Sequence, residues 1–369
     1  MVNGPHNDVS IWRRFILPFL FVLALFVALF LRRPDAEAPV SNSGVEEVAK
    51  QPAEMVLRGE TMGTTYNIKL VPETLEQAQT WHTLQPKIDQ RLEDINNLMS
   101  TYRPQSDISK LNANTSIEPV VLQEEFAKVV AASLNIGEQT GGAFDVTLGP
   151  LIALWGFDKG ERRTTAPSTE EITSLKAFTG LDKISVNQNA FQKKDGRVQI
   201  NLSGIAKGYG VDAVAALLRN AGVNNFMVEI GGEIFVQGKN SQASQWKLGV
   251  NRPTPEAGRY EIIETVALSK GGMATSGSYR NFFNEAGKRF HHIINPKTGQ
   301  PVDHNLVSVT VVADTCMQAD ALATAAMVLG QAEFEKVLKA HYPNASAFFV
   351  HQNEQRFDAF KTANFPTLD

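Results

Sequence analysis

Cysteine is almost missing from this chain. Cys316 stands alone among 369 residues, so no intrachain disulfide and no thiolate metal cage can form, and a single cysteine of this kind reads as a small apolar residue. An excess of positive charge is also lacking. Lys and Arg number 35 against 39 Asp and Glu, for a net charge of −4. No basic field therefore favours nucleic acid, and neither zinc-type Cys/His spacing nor arginines interleaved with aromatics occur. No internal repeat of 20–50 residues is evident. Against these absences, 43% of residues are hydrophobic and 20% charged, an ordinary globular composition. The length allows two domains or one larger α+β unit.

One long apolar run exists. Arg13-Arg14 precedes FILPFLFVLALFVALFL, residues 15–31, and Arg32-Arg33 follows. Seventeen apolar residues are at the short end of a membrane-spanning helix, for which about 20 are typical, and longer than a usual secretory h-region of roughly 7–15. The expected organisation is a short cytoplasmic N-terminus over 1–14, a transmembrane signal anchor over 15–33, a Pro/Ala/Ser/Glu-rich flexible tether over 34–54, and a folded domain over 55–369. A cleaved signal peptide is the alternative, with Ala36-Glu37-Ala38 as a weak cleavage site ahead of an unfavourable Pro39.

Within the folded part, "MVLRGETMGTTYNIKLV" alternates like two strands turning at Gly63. Ile88, Leu92, Ile95 and Met99 recur at helical spacing over 86–102, and a second helix is predicted over 122–139. Ser168-x-x-Glu171 is a capping box opening a third. "FQKKDGRVQI" reads as a hairpin around Asp195-Gly196, "RVQINL" as a strand running into a glycine-rich turn and helix, and the glycines of "EIGGEI" as a bulge or close backbone approach. Further strands are expected at "WKLGV", "IIETVAL", "RFHHII", "LVSVTVVA" and "ASAFFVH", with helices at "ADALATAAMVLG" and near 331–341. Irregular mixing of strands and helices argues for α+β rather than a doubly wound sheet.

Four stretches carry potential chemistry. "NLSGIAKGYGVD" sets Gly204, Gly208 and Gly210 around Lys207 where the chain enters a helix. That reads as a phosphate-receptive helix start or as a flexible turn with a solvated lysine; the spacing excludes a Walker A loop. In "ADALATA", Asp320 and Thr324 share a helix face, offering hard oxygens suited to Mg²⁺, or Asp320 merely complements a helix dipole. "TGGAFDVTLGPLIALWGF" offers Phe144 and Trp155 as flat surface and Asp145 as an acceptor, unless the aromatics are core. Finally, "ATSGSYRNFF", with Ser276 and Arg280, precedes "RFHHIINPKTGQP". Neighbours in a strand face opposite sides, so only one of His291 and His292 can face a site and the other is free to be surface.

Taken in order with "GTTY", "MSTYRPQSDISKLN" and "VEIGGEI", these motifs resemble the ApbE family, the FAD:protein FMN transferases of bacterial envelopes, across nearly all of residues 60–330. The resemblance implies an α+β fold of two lobes with FAD in the cleft between them, and transfer of FMN from FAD to a Thr or Ser hydroxyl of a partner protein with release of AMP. It implies Mg²⁺ held by Asp320, Thr324 and the backbone carbonyl of Gly204. Met62, Tyr102, Ala143, Phe144, Asp145, Lys207, Ser276 and Arg280 would line the FAD site, and His292 and Asp320 would carry catalysis, with His292 as general base. The partners it implies are acceptor subunits of membrane redox complexes, such as a sodium-translocating quinone reductase, with the catalytic domain in the periplasm and anchored to the bacterial inner membrane. An FAD pyrophosphatase giving FMN and AMP, or a non-catalytic periplasmic flavin-binding protein, are the competing readings. Three departures stand out: no lipid-bearing cysteine near the N-terminus, Gly204 where alanine is usual, and Asn201 and Ser278 where aspartates are frequent.

Overall fold

A computed structural model describes residues 53–158, 163–255, 258, 261–354 and 356–368. The expected anchor over 15–33 and nearly all of the tether lie outside the described residues, among which no helix is long and apolar enough to cross a membrane. The strands are β1 (Met55–Thr61), β2 (Thr64–Leu70), β3 (Val120–Val121), β4 (Ile184–Asn187), β5 (Ala190–Lys193), β6 (Phe226–Ile230), β7 (Glu233–Gln237), β8 (Trp246–Asn251), β9 (Ile262–Leu268), β10 (Lys270–Gly277), β11 (Phe282–Glu285), β12 (Lys288–His291), β13 (Leu306–Ala313), β14 (Ser346–Asn353) and β15 (Arg356–Lys361). The helices are α1 (Leu75–Thr80), α2 (Leu84–Met99), α3 (Asp107–Ala113), α4 (Glu124–Gln139), α5 (Gly149–Leu154), α6 (Thr169–Lys176), α7 (Ala206–Asn220), α8 (Cys316–Leu329) and α9 (Gln331–His341).

Eight strands form an antiparallel sheet in the order β1-β2-β6-β7-β10-β13-β14-β15. Strand periodicity sorts its side chains between two cores. Phe235 joins Ile68, Val228 and Ile230 against Ile88 and Leu92 of α2 and Val211, Val214 and Leu218 of α7. Its neighbour Val236 faces the other way, onto Trp246, Leu248 and Val266 of the β8–β9 hairpin. Every residue of β13 is buried, as suits a strand covered on both faces. The described residues form one compact unit of mixed α+β architecture.

The local signals hold where they are local. The β1–β2 turn sits at Met62-Gly63, helical spacing in α2 buries Ile88, Leu92, Ile95 and Met99, and Ser168 with Glu171 forms the capping box. Three expectations are corrected. The β4–β5 hairpin turns at Gln188-Asn189, with Asn187 opposite Ala190, rather than at Asp195-Gly196. There Asp195 instead accepts from the backbone and guanidinium of Arg197, and Gly196 packs against the backbone of Thr115. "RVQINL" forms no strand, because the Asn112 side chain takes both polar groups of Ile200, donating to its carbonyl at 2.8 Å and accepting from its N–H at 2.8 Å. The Gly231-Gly232 pair is a two-residue hairpin turn, φ 60° and 105°, the left-handed conformation such turns require.

α7 and α8 meet at their N-terminal turns. Asp320 of α8 accepts from Gly208 N at 3.0 Å, and Asp212 of α7 accepts from Cys316 N and Met317 N at 2.9 and 2.8 Å. Each carboxylate thus satisfies N–H groups that the other helix cannot pair internally. The approach depends on Gly208, where a Cβ would lie 2.4 Å from the Cys316 carbonyl oxygen and 2.8 Å from Asp320 Cβ. Cys316 is fully buried, as its apolar reading requires. Gly208→Ala is expected to cost about 1–3 kcal/mol by overpacking and to lower the melting temperature by several degrees, measured by calorimetry; an unchanged melting temperature would contradict the close contact.

Candidate active site

The sheet places two hairpin tips side by side. β2 pairs with β6, with Tyr66 opposite Ile230, so the Met62-Gly63 and Gly231-Gly232 turns share one end of the sheet; Gly231 N donates to Thr65 O at 3.1 Å. Met62 reaches back over α7, where a Cβ on Gly210 would come within 2.8 Å of its Cε. Beside it opens a cavity of about 650 Å³, lined by Met62, Met99, Tyr102, Asn201, Ser203, Ala206 and Lys207 among others. A second hollow of about 940 Å³ shares Met62, Gly63, Asn96 and Arg103. A third, of about 980 Å³ and lined by Lys87, Lys128 and Arg219, contains none of the expected site residues.

Lys207, in the first turn of α7, sits at the head of the cavity with its Nζ 2.6 Å from Glu233 Oε1. Burial alone would lower its pKa, but the carboxylates of Asp320 and Glu233 outweigh it and hold the ammonium above the ordinary lysine range. Glu233 is 3% exposed. Burial first, and then Asp320, raise its pKa against the pull of Lys207, to about 7. Asp320 is 4% exposed; burial raises its pKa, while Lys207 and the Gly208 N–H work to lower it. A turn further along α8, Thr324 Oγ1 lies 3.3 Å from Ser276 Oγ of β10. A Cβ on Gly204 would sit 3.2 Å from Thr324 Oγ1 and 3.3 Å from the Phe144 ring. Gly204, Thr324, Ser276 and Phe144 therefore converge.

His292 follows the last residue of β12. Its backbone N donates to Asn281 O at 3.2 Å and its Nδ1 lies 3.3 Å from the same carbonyl. A carbonyl only accepts, so Nδ1 carries the proton and Nε2 the lone pair. Burial lowers its pKa, the Asn281 carbonyl opposes this, and the Lys207 charge lowers it further. The ring also meets Phe157 edge-on at 6.4 Å. The ribbon that carries it is seated on an aromatic stack: Trp155 on Phe290 at 5.4 Å and Phe283 on Phe290 at 5.3 Å.

The ApbE family model matches residues 62–349. The FAD:protein FMN transferase of Vibrio cholerae is 38% identical over 317 residues, 86% of this chain and 93% of its own. That of Haemophilus influenzae is 39% identical over 318 residues, 85% and 90%. The flavin transferase ApbE structure from Vibrio cholerae superposes with a TM-score of 0.77 at 37% identity, covering 85% of this chain and 98% of that one. The apo flavinyl transferase ApbE of Pseudomonas stutzeri gives 0.74 at 32%, covering 85% and 96%. The chain belongs to the ApbE family.

Against the expectations for an ApbE-family member, the residues divide. Met62, Tyr102 and Lys207 line the cavity, whereas Asp320, Thr324, Ser276, Phe144 and His292 are not among its lining residues. Tyr102 is 66% exposed and its hydroxyl meets Asp158. Ala143 and Phe144 are buried in the main core, with Phe144 reaching Gly204. Asp145 is committed locally: its Oδ1 accepts from Thr147 N and Oγ1 at 2.8 and 2.6 Å. Arg280 is exposed and stacks over the Tyr279 ring at 5.4 Å. Trp155 is core, 2% exposed and donating to Gly299 O at 2.9 Å. His291 is not surface but 7% exposed, more deeply buried than His292. Sequence reading missed Glu233; its signal was a charge inside the otherwise apolar "EIFV".

The donor set fits a hard cation. Asp320 is a buried carboxylate, and one turn further along α8 Thr324 Oγ1 lies 3.3 Å from Ser276 Oγ with Gly204 alongside. Among the described residues no three His, Cys, Asp or Glu cluster as ligands. One carboxylate with neutral oxygens suits Mg²⁺, which keeps waters and phosphate oxygens in its shell. The cavity, with Met62, Met99 and Tyr102 on its walls, is within the size range of cofactor sites.

Burial, then the neighbouring His292 and His304, push the His291 pKa down to about 4. The unfolded chain, with histidine near 6.5, binds a proton the folded one rejects. Stability from this group is complete above about pH 6.5 and is lost as pH falls toward about 4. Urea melts should show His291→Gln losing less stability than wild type between pH 7 and pH 5; equal losses would contradict this.

Proposed function

We propose that the protein is an FAD:protein FMN transferase that moves FMN from FAD to a Thr or Ser hydroxyl of a partner protein. The observation that carries this reading is the Lys207 ammonium at the cavity that Met62 and Tyr102 line, with the buried Asp320 carboxylate acting on it, in a chain whose relatives bear that name. FAD would enter the cavity with its rings toward Met62, Met99 and Tyr102 and its pyrophosphate toward Lys207 and the α7 N-terminus, where aligned N–H groups favour phosphate.

Asp320, Thr324 and the Gly204 carbonyl would hold Mg²⁺, which when bound would supply charge neutralisation for the phosphoryl groups. His292 Nε2 takes the proton of the acceptor hydroxyl. The hydroxyl oxygen bonds to the FMN phosphorus, the bond from that phosphorus to the bridging oxygen breaks, and AMP leaves with the bridging electron pair. Asn281, holding Nδ1–H, keeps the lone pair of Nε2 pointed at the hydroxyl. Lys207 stabilises the phosphoryl oxygens throughout. The segment over 15–33 anchors the chain in the inner membrane with the catalytic domain in the periplasm, beside acceptor subunits of membrane redox complexes.

Full-length protein with FAD, Mg²⁺ and membranes from a strain lacking it should restore in-gel flavin fluorescence to a membrane subunit and add the FMN mass to that subunit. His292→Ala should slow this by about 10²–10⁴-fold. Free FMN and AMP without any adduct would instead favour hydrolysis of FAD by water, and no flavin chemistry at all would leave a binding protein. Since burial lowers the His292 pKa, the base is free at neutral pH. The acid limb of kcat/KM is expected below the ordinary histidine value of about 6.5, and a limb above it would contradict the assignment.

A further inference from the structure

Glu233 occupies the first position of β7, fixed by its pairing with Ile230 across the Gly231-Gly232 turn. It is 3% exposed, its Oε1 holds Lys207 Nζ at 2.6 Å, and its Oε2 is buried without a hydrogen-bond partner among the described residues. A buried carboxylate left half-satisfied is expensive, and nothing in the sheet requires one at this position. The nearby buried carboxylate of Asp320 also attracts the Lys207 ammonium, yet the direct ion pair is made with Glu233 alone. The arrangement therefore settles a competition between two carboxylates for one ammonium.

We propose that Glu233 is a positioning residue: by engaging the Lys207 ammonium directly, it keeps that ammonium off Asp320, leaving the Asp320 carboxylate open to a divalent cation and the lysine aimed along the cavity. Without Glu233, the lysine swings onto Asp320 and occupies the cation's place with its own charge. The inference rests on the reading of Asp320 as the metal ligand and names a residue that tunes that ligand through a third group.

The test is Mn²⁺ binding to the full-length, FAD-free protein, followed by electron paramagnetic resonance, with folding checked by circular dichroism. Glu233→Gln, which keeps shape and removes charge, should weaken Mn²⁺ binding by about 10–100-fold, the usual effect of losing an outer-shell partner. Glu233→Asp should recover part of that loss. Lys207→Met should bind Mn²⁺ at least as tightly as wild type, and adding it to Glu233→Gln should restore affinity, because no ammonium then competes. A merely structural role for Glu233 predicts no such rescue. Wild-type affinity in Glu233→Gln, or a double variant as weak as the single, overturns the inference while Asp320→Asn, by abolishing binding, still upholds the metal site. Wild-type protein that binds no Mn²⁺, or Asp320→Asn that binds it normally, overturns both.

Discussion

The exchange of carboxylates between α7 and α8 is the interaction on which the rest of the site depends. Asp320 takes the Gly208 N–H and Asp212 takes those of Cys316 and Met317, so two helix N-termini are tied at one point. Each N-terminus carries roughly half a positive charge, and Lys207 adds a full one. Beside them lie the carboxylates of Asp212, Glu233 and Asp320, and burial raises the pKa of each, Asp212 to about 6 and Glu233 to about 7. Helix N-termini and an ammonium favour phosphate, and a buried carboxylate beside them is a hard-oxygen donor.

His292 is held by a separate device. The β11–β12 ribbon is only two strands wide, and ribbons of that kind have little stability of their own. Here its Phe283 and Phe290 stack with Trp155, itself locked by its bond to Gly299. The asparagine-proline turn after His292 is thereby packed against α5 and α6 territory, where Gly299 lies against Ile172 and Lys176. The buried member of the histidine pair belongs to this packing. The other, His292, is only partly buried, with its Nδ1 held at the Asn281 carbonyl.

Local signals in the sequence were reliable and non-local ones were not. The capping box at Ser168, the two-residue turn at Met62-Gly63 and the apolar stripe of α2 depend on neighbours a few residues away, and each is where the pattern says. "RVQINL" has the composition of a strand, but Asn112, 88 residues earlier, takes the backbone bonds a partner strand would have made. Asp195-Gly196 looks like a hairpin turn until Thr115 is seen packed beneath it. Motif order singles out Lys207, Asp320, Thr324 and His292, and the fold sets Thr324 beside Ser276 and Gly204. Arg280 lies over Tyr279 beyond the end of β10, a direction that no sequence pattern states. Glu233 was invisible because its partner, Lys207, lies on another element.

The central claim is that the Lys207 ammonium, the Asp320 and Thr324 oxygens and the His292 imidazole border one dinucleotide site. A crystal of the full chain soaked with FAD and Mn²⁺, with anomalous scattering recorded for the metal, tests it most directly. The account predicts one Mn²⁺ peak bonded to Asp320 and Thr324 and to the FAD pyrophosphate, with His292 Nε2 facing the FMN phosphorus. A peak bonded elsewhere, or a pyrophosphate lying out of reach of His292, would contradict it.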